Sequence, residues 1–381
     1  MKNHDVKWGI LSSSPPTACG IATFTTALGK ALTRHGDEVS LVRILQGGDE
    51  PATSPFPVAS DLHADDHASI RCASSALNGC DVALIQHEYG LYGGRDGADV
   101  LTVMSALRVP VVTILHTVLT SPTDHQRWVL NEVVRLSNCV VVMSDTAEAT
   151  LRRFYDVGGV PVRVIAHGAA LGLLAVDVDP AQRPMLLTWG LIGPGKGIEW
   201  VIDAMVELRD VEPRLRYVVA GRTHPKVLAY EGDVYRRSLE RRVERHDLGD
   251  MVIFDNSYRK LASLNELIAT ASVVILPYDS HDQATSGVLV DAIAAGRPVI
   301  ATSFPHSVEM LASGAGIVVE HRNSRAISEA IRAIVTDPVV AANMAQEARR
   351  IAPSLGWDAV ALRYVDLARE MLRATILPVS A

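Results

Sequence analysis

The chain has 381 residues, the length of about two domains, and 48% of them are hydrophobic, which is enough to form real cores. Its 36 Lys and Arg residues against 43 Asp and Glu residues give a formal charge of −7, which argues against a nucleic-acid partner. No apolar run reaches the roughly 18 residues of a membrane-spanning helix, and the N-terminus lacks the apolar core of a signal peptide.

The 4 cysteines show no CxxC spacing and are typical of reduced thiols rather than of a zinc site or a disulfide set. These features together predict a cytoplasmic protein whose contact with membranes is at most peripheral.

Short apolar runs rich in β-branched residues alternate along the chain with longer stretches of helical periodicity, such as 21–32 and 199–208. The runs in the first half are 7–11, 38–44, 81–86, 110–115, 139–143 and 161–165, and those in the second half are 185–189, 215–220, 251–254, 273–276, 298–301 and 316–320. Apolar strands separated by helices are typical of parallel sheets covered on both faces. The sequence therefore predicts an α/β protein with two Rossmann-like, doubly wound domains.

The stretch 177–184 is polar, contains two prolines and lacks periodicity, as expected of a linker. We therefore predict an N-terminal domain at 1–178, a C-terminal domain at 184–352 and closing helices at 353–381.

Glycines, histidines or cations follow many of the predicted strands, at the edge of the sheet where open parallel sheets bind ligands. These segments are Gly20, His87-Glu88, His116, His167-Gly168, Gly195-Lys196, Arg222-Thr-His224 and Gln283-Ala-Thr-Ser-Gly287. They predict one ligand cleft between two facing domains, although polar residues are common in any loop.

The segment 190–196 has the spacing GxxxxGK, in which turn amides approach a phosphate and the lysine, here Lys196, neutralises it. Gly197 stands where a P-loop has the Ser or Thr that holds magnesium, so we expect a phosphate site of another kind. An ordinary strand–turn–helix connection with an exposed lysine is the alternative.

Two predicted helix starts offer further anion-binding amides, at Gly20 and at Ser286-Gly287. Asp291 lies one turn into the second of these helices and could accept hydrogen bonds from ribose hydroxyls. The alternatives are a plain capping glycine and an exposed helix carboxylate.

His116, His87 and Glu88 could hydrogen-bond a sugar or an acceptor hydroxyl, or assist proton movement, although a lone histidine is more often structural. We predict no metal site. The pair Asp177-Val-Asp179 lies in the linker, and the segment 63–67 lacks a third ligand. The basic stretch 235–245 is interpreted as a solvated helix that docks through the apolar stripe Tyr235, Leu239 and Val243, with membrane contact as a minor alternative.

Three segments, 16–24, 195–199 and 291–300, together resemble the retaining glycosyltransferases of family 4, which have the GT-B fold. The resemblance implies a UDP- or GDP-linked sugar donor in the C-terminal domain and a glycan or small hydroxyl acceptor in the N-terminal domain. It implies that Lys196 contacts the donor diphosphate and that Asp291, matching the second Glu of the E-x7-E motif, holds the ribose. His116 would lie near the transferred sugar and Gly20 near the donor phosphate or the acceptor.

Two positions depart from the family pattern. Gln283 stands where the first Glu of E-x7-E is expected, and Leu191 stands where many members have an arginine. Arg222 could supply that missing cation from the next strand end. The string Gly221-Arg-Thr-His-Pro225 resembles a bacterial subgroup linked to mannosyl transfer.

We therefore predict a metal-independent glycosyltransferase without a separate cofactor. The predicted catalytic residues are His116, Lys196 and Arg222; the donor-binding residues are Gly20, Gly195, Lys196, Arg222, Gln283, Ser286, Gly287 and Asp291; and the acceptor or sugar contacts are His87, Glu88, His116 and His224. A phosphorylase, an epimerase and a non-catalytic nucleotide-sugar-binding subunit remain alternatives on this fold.

Overall fold

The computed structural model describes residues 5–15, 17, 19–45, 54–64, 66–171, 183–257, 259 and 261–376. The chain divides into two compact units, one formed by Met1–Gly168 with Trp357–Ala381 and the other by Ala169–Gly356. Most of the predicted linker, including Asp177 and Asp179, lies outside the described residues.

In the first unit, the described residues form a seven-stranded parallel sheet of order β3-β2-β1-β4-β5-β6-β7. Its strands are β1 (Lys7–Ser12), β2 (Glu38–Leu45), β3 (Val58–His63), β4 (Val82–His87), β5 (Val111–Leu115), β6 (Cys139–Val142) and β7 (Val162–Val164). Its helices are α1 (Gly20–Arg34), α2 (His67–Leu77), α3 (Asp99–Ser105), α4 (Asp124–Arg135), α5 (Asp145–Phe154) and, from the end of the chain, α14 (Trp357–Ile376), with a 3-10 turn at Arg95–Gly97.

Helix α14 contributes to the core of the first unit. Its buried Tyr364 and Val365 belong to the same apolar cluster as Phe24 and Leu28 of α1. The Trp357 ring lies 5.0 Å from the Phe24 ring, edge to face. The predicted closing segment 353–381 is therefore divided, because its first residues end a helix of the second unit.

Strand β3 was not predicted from the sequence, because its Ser60 and Asp61 interrupt the apolar pattern. The strand lies at the sheet edge, where polar residues are tolerated. Arg43 of the neighbouring strand donates a hydrogen bond from Nε to Asp61 Oδ1 at 2.8 Å. This ion pair satisfies the otherwise buried Arg43 guanidinium.

In the second unit, the described residues form a six-stranded parallel sheet of order β10-β9-β8-β11-β12-β13. Its strands are β8 (Met185–Trp189), β9 (Arg216–Ala220), β10 (Val252–Asp255), β11 (Val273–Leu276), β12 (Val299–Thr302) and β13 (Gly316–Val319). Its helices are α6 (Ile198–Val206), α7 (Pro225–Glu231), α8 (Val234–Arg245), α9 (Leu261–Thr270), α10 (Gly287–Ala294), α11 (Pro305–Leu311), α12 (Ser324–Thr336) and α13 (Pro338–Leu355).

Both sheets follow the Rossmann strand order, which confirms the predicted class of two doubly wound α/β units. The strand order reverses between β1 and β4 in the first unit and between β8 and β11 in the second. Loops diverge at such a switch point and leave a crevice at the carboxyl ends of the strands. The loops after these four strands are therefore where each unit can hold a ligand.

The described part of the chain contains no helix that is both long and apolar enough to cross a membrane. Helix α8 packs against the core of the second unit through Tyr235, Leu239 and Val243, which confirms the predicted apolar stripe.

Candidate functional site

The loop after β8 is built for close approach of backbone to a ligand or a neighbour. Gly190, Gly195 and Gly197 have φ angles of 125°, 84° and 66°, which favour glycine. A Cβ atom on Gly197 would lie 1.7 Å from the carbonyl oxygen of Pro277, in the loop after β11. Glycine at 197 therefore lets the two switch-point loops touch just before α6 begins.

Lys196 belongs to the loop after β8 and packs against the loop after β11. Its Nζ atom is 4.4 Å from the centre of the Tyr278 ring, a cation–π contact. Burial lowers the pKa of Lys196, because the charged amine is partly removed from water. Within the described residues its ammonium has no carboxylate partner. A half-buried cation without a counter-charge favours an anionic ligand.

Hydrogen bonds fix the arrangement around Lys196. The Asp279 amide donates to the carbonyl oxygen of Gly195 at 2.9 Å. The Trp200 indole donates to Asp279 Oδ1 at 3.1 Å, and Arg322 pairs with Asp279 Oδ2 at 3.3 Å. Asp279 thus ties the loop after β8, the start of α6 and the end of β13 together, and its charge is already paired.

The N-terminus of α10 differs from the sequence prediction in one respect. The Ser286 amide donates to Nδ1 of His306 at 2.9 Å, so this amide is not available to a ligand. Burial lowers the pKa of His306 to about 4, which keeps the imidazole neutral and able to accept. Ser286 Oγ accepts from the Leu289 amide at 3.3 Å. The first-turn amides of Gly287 and Val288 remain for an anion.

Asp291 lies one turn further along α10 and is half-buried. Burial raises the pKa of its carboxyl group to about 7, since no cation or hydrogen-bond donor among the described residues offsets the loss of water. A buried carboxylate without a hydrogen-bond donor is suited to accept hydrogen bonds from a polar ligand.

Gln283 precedes the same helix. Its side-chain Nε2 atom donates to the main-chain carbonyl oxygen of Thr285 at 3.2 Å. The main-chain carbonyl oxygen of Gln283 accepts from the His306 amide at 3.3 Å. Gln283 therefore helps to shape the loop before α10.

A pocket of about 130 Å³ opens at the carboxyl ends of β8 and β9. It is lined by Trp189, Gly190, Leu191, Ala220, Gly221, Arg222, Ser257, Arg259 and Leu264. Arg259 is held by Asp255, with 2.9 Å between Nε and Oδ2. The structure thus places Arg222 beside Leu191, the position where the family pattern has a cation.

His224 follows Arg222 and caps α7, with Nδ1 accepting from the Lys226 amide at 3.1 Å. Burial lowers its pKa, and the charges of Lys226 and Lys196 lower it further.

His116 follows β5 in the first unit. Burial, with the nearby His167 and His87, lowers its pKa to about 3, so the imidazole is neutral at physiological pH. Its Nε2 atom is 2.6 Å from Gln86 Oε1. Because the amide oxygen can only accept, Nε2 carries the proton and Nδ1 keeps a lone pair. The Phe24 ring of α1 packs edge to face against the imidazole at 5.1 Å.

Glu88 follows β4, next to His116. Its Oε2 atom accepts from the Thr117 hydroxyl at 2.5 Å, and its Oε1 atom accepts from the Tyr89 amide at 3.1 Å. Its neighbour His87 is 0% exposed, and neither of its ring nitrogens has a partner among the described residues. Burial lowers the pKa of His87 to about 4. His87 therefore does not lie on a ligand-accessible surface, contrary to the sequence prediction.

Gly20 begins α1 on the side of the sheet where β1 ends. It is exposed, and a Cβ atom there would meet nothing within 4 Å. Its neighbour Cys19 provides no side-chain cap for the first amides. The open amides precede Phe24 by one turn, and Phe24 contacts His116, so Gly20 and His116 share one edge of the first unit.

The structure thus gathers two groups of predicted residues, each within one unit. Gly195, Lys196, Arg222, His224 and the start of α10 belong to the second unit, whereas Gly20, Glu88 and His116 belong to the first.

The side chains that support these groups, chiefly Tyr278, His306 and Gln86, were not predicted from the sequence. Gln86 is near the end of β4 in the first unit, and in the second unit Tyr278 follows β11 and His306 lies in α11, after β12. Their places near the carboxyl ends of buried strands were the one available signal.

No group of three or more His, Cys, Asp or Glu side chains suited to a metal occurs among the described residues. Asp65, in the middle of the segment 63–67, lies outside the described residues.

Two family descriptions match the chain. Residues 18–172 match "Glycosyltransferase Family 4", and residues 176–351 match "Glycosyl transferases group 1". Together they cover most of the chain, one match in each unit.

Similar proteins include a D-inositol 3-phosphate glycosyltransferase from Streptomyces avermitilis, 28% identical over 55% of this chain and 43% of the relative. A lipopolysaccharide core biosynthesis mannosyltransferase, LpsB, from Rhizobium meliloti is 24% identical over 61% of this chain and 69% of the relative. The chain thus spans less than half the length of the first of these relatives.

A solved structure of HepE from Anabaena in complex with UDP and glucose matches with a TM-score of 0.76 at 16% identity. It covers 96% of this chain and 99% of its own chain. At this identity the likeness shows the fold.

Proposed function

Because the chain belongs to the group 1 and family 4 glycosyltransferases, we propose that it transfers a sugar from a UDP- or GDP-linked donor to a hydroxyl of a glycan or small acceptor. The proposed sugar is mannose. The string Gly221-Arg-Thr-His-Pro225 supports this choice, and one relative is named a mannosyltransferase.

The observation that carries the proposal is the position of Lys196. Its ammonium lies at the switch point of the second unit, 4.4 Å from the Tyr278 ring and without a carboxylate partner in the described part of the chain. A diphosphate would supply the missing counter-charge. The open amides of Gly287 and Val288 and the guanidinium of Arg222 are further donors on the same unit.

In the proposed reaction the bond between the anomeric carbon and the diphosphate oxygen breaks, and negative charge grows on the diphosphate. Lys196, Arg222 and the α10 amides would stabilise that charge, and a single donor of this kind is worth about 10²–10³ in turnover. Asp291 would accept hydrogen bonds from the ribose hydroxyls.

The acceptor oxygen would form the new bond to the anomeric carbon from the face that the diphosphate leaves, with retention of configuration. The acceptor proton would pass to a diphosphate oxygen, so no separate side-chain base is needed. Neutral His116 would accept a hydrogen bond from a sugar hydroxyl through Nδ1. Glu88, held by Thr117, would contact the acceptor.

A thermal-shift screen with UDP, GDP, ADP and their sugars tests the donor. A ligand at 100 times its dissociation constant stabilises the folded state by about 2.7 kcal/mol. The sugar form of the stabilising nucleotide is then incubated with a panel of glycosides and alcohols, and new glycosides are detected by mass spectrometry. Absence of any nucleotide-dependent shift would contradict the proposal.

Gln283 and Leu191, which depart from the family pattern, favour a second candidate, a non-catalytic subunit that binds nucleotide sugars. Calorimetric binding of the donor without turnover on any acceptor would support it. Sugar 1-phosphate formed from a disaccharide and phosphate would instead indicate a phosphorylase. A changed nucleotide sugar in the absence of acceptor would indicate an epimerase.

A further inference from the structure

A separate cavity of about 180 Å³ lies in the first unit, at the carboxyl ends of β2 and β3. Its walls are mainly aliphatic and aromatic side chains that are themselves nearly buried: Leu45, Leu62, Ile70, Leu91 and Tyr92. The loop after β4, one of the switch-point loops, contributes Leu91 and Tyr92, and a concave, mainly apolar lining with few polar groups is typical of ligand pockets.

Besides Tyr92, two titratable side chains line the cavity, Asp99 and the exposed His63. Asp99, in the first turn of α3, presents an Oδ2 atom that is buried and has no hydrogen-bond partner among the described residues. Gly93 makes room for it, since a Cβ atom at Gly93 would lie 2.4 Å from Asp99 Oδ2. A buried carboxylate oxygen without a donor is unfavourable unless a ligand supplies one.

The cavity is connected to the candidate site of the same unit. Tyr92, in the cavity wall, donates from its hydroxyl to the carbonyl oxygen of Gln86 at 2.6 Å. Gln86 in turn bonds His116 through its side chain at 2.6 Å. Gln86 therefore links Tyr92 in the cavity wall to His116, the residue proposed to contact the transferred sugar.

We propose that this cavity binds an apolar group of the acceptor that carries an amine, and that Asp99 accepts a hydrogen bond from the ammonium. The inference rests on the proposed function, in which the first unit holds the acceptor. Pockets that enclose a whole drug-sized ligand measure about 300–1,000 Å³. A cavity of about 180 Å³ would take one ring or short chain at one end of the acceptor.

Three probes that share a cyclohexyl ring test the proposal: cyclohexylmethylamine, cyclohexylmethanol and cyclohexanecarboxylate. Their binding to the full chain is measured at pH 7.5, without nucleotide, by saturation-transfer NMR titration. We expect saturable binding of the amine, weaker binding of the alcohol and none of the carboxylate. Because no donor is present, the result is independent of whether the chain transfers a sugar. Failure of the donor screen and failure of this experiment are therefore distinguishable.

Variants identify the site. Asp99→Asn should weaken amine binding about 10-fold or more, because a charge-assisted hydrogen bond is lost, and should leave the alcohol unaffected. Asp124→Asn, the exposed acid in the first turn of α4, is the matched control and should bind as the wild type does. Ala64→Phe places a ring at the exposed cavity rim and should abolish binding of both probes without disturbing the core.

The proposal is overturned if the amine does not bind, if the three probes bind equally, or if Asp99→Asn binds the amine as tightly as the wild type. Unchanged binding to Ala64→Phe, checked for folding by circular dichroism, would also overturn it, because the probe would then occupy another place.

Discussion

Replacing Asp291 by Asn should stabilise the nucleotide-free protein at pH 8. Burial raises the pKa of this carboxyl group from 3.8 to about 7. Between these two values the folded chain binds more protons than the unfolded chain, so the free energy of unfolding falls as the pH rises. A pKa unit corresponds to 1.36 kcal/mol, so a shift of about three units is a penalty on the order of 4 kcal/mol.

This penalty is fully present above pH 7 and absent below pH 3.8. Asparagine has no charge to desolvate, although its amide has a burial cost of its own. We therefore expect Asp291→Asn to raise the free energy of unfolding by about 2–3 kcal/mol at pH 8. The gain should shrink towards pH 5. Donor affinity should fall in the same variant, because the ribose hydroxyls lose a charged acceptor.

Urea unfolding of wild type and Asp291→Asn at pH 5, 6.5 and 8 measures the first effect, and calorimetric titration with the donor nucleotide measures the second. Glu244→Gln, an exposed carboxylate on α8, is the control and should change neither. A variant that is no more stable than wild type at pH 8, or whose advantage grows as the pH falls, would refute the reasoning.

Three further results are expected. Gly197→Ala should lose about 3 kcal/mol or more in urea unfolding, because its Cβ would lie 1.7 Å from the Pro277 oxygen. Gly195→Ala, with φ of 84° but open space around it, should lose only about 1–2 kcal/mol; equal losses would contradict the clash. His306→Ala should raise the donor KM by leaving the Ser286 amide unpaired, and His306→Asn should partly restore it; unchanged kinetics would exclude a positioning role. Transfer should survive dialysis against EDTA, and a loss of activity that magnesium restores would contradict metal independence.

The positions of most strands, and the loops at their carboxyl ends, could be predicted from the sequence. Strands that are buried on both faces consist of continuous apolar runs. The run at Met185–Trp189 and the glycines after it predicted both a strand and the loop that holds Lys196. The edge strand Val58–His63 was not found, because an exposed edge needs no such run.

Within the site, residue type and chain position were predictable, whereas side-chain environment was not. His87 ends one strand and His116 follows the next, yet the His87 side chain is wholly enclosed and the His116 side chain is hydrogen-bonded to Gln86. His306 stabilises the start of α10 from 20 residues away, a contact that only tertiary folding creates. Such contacts decide which amide or imidazole remains open to a ligand.

The role of Lys196 as the cation that binds the donor diphosphate is tested most directly by Lys196→Ala, with the exposed Lys30→Ala on α1 as the control. Turnover is measured with the nucleotide sugar identified by the donor screen. We predict that Lys196→Ala lowers turnover by about 10²–10³ while Lys30→Ala matches the wild type. Turnover close to that of the wild type in Lys196→Ala would contradict the proposed site.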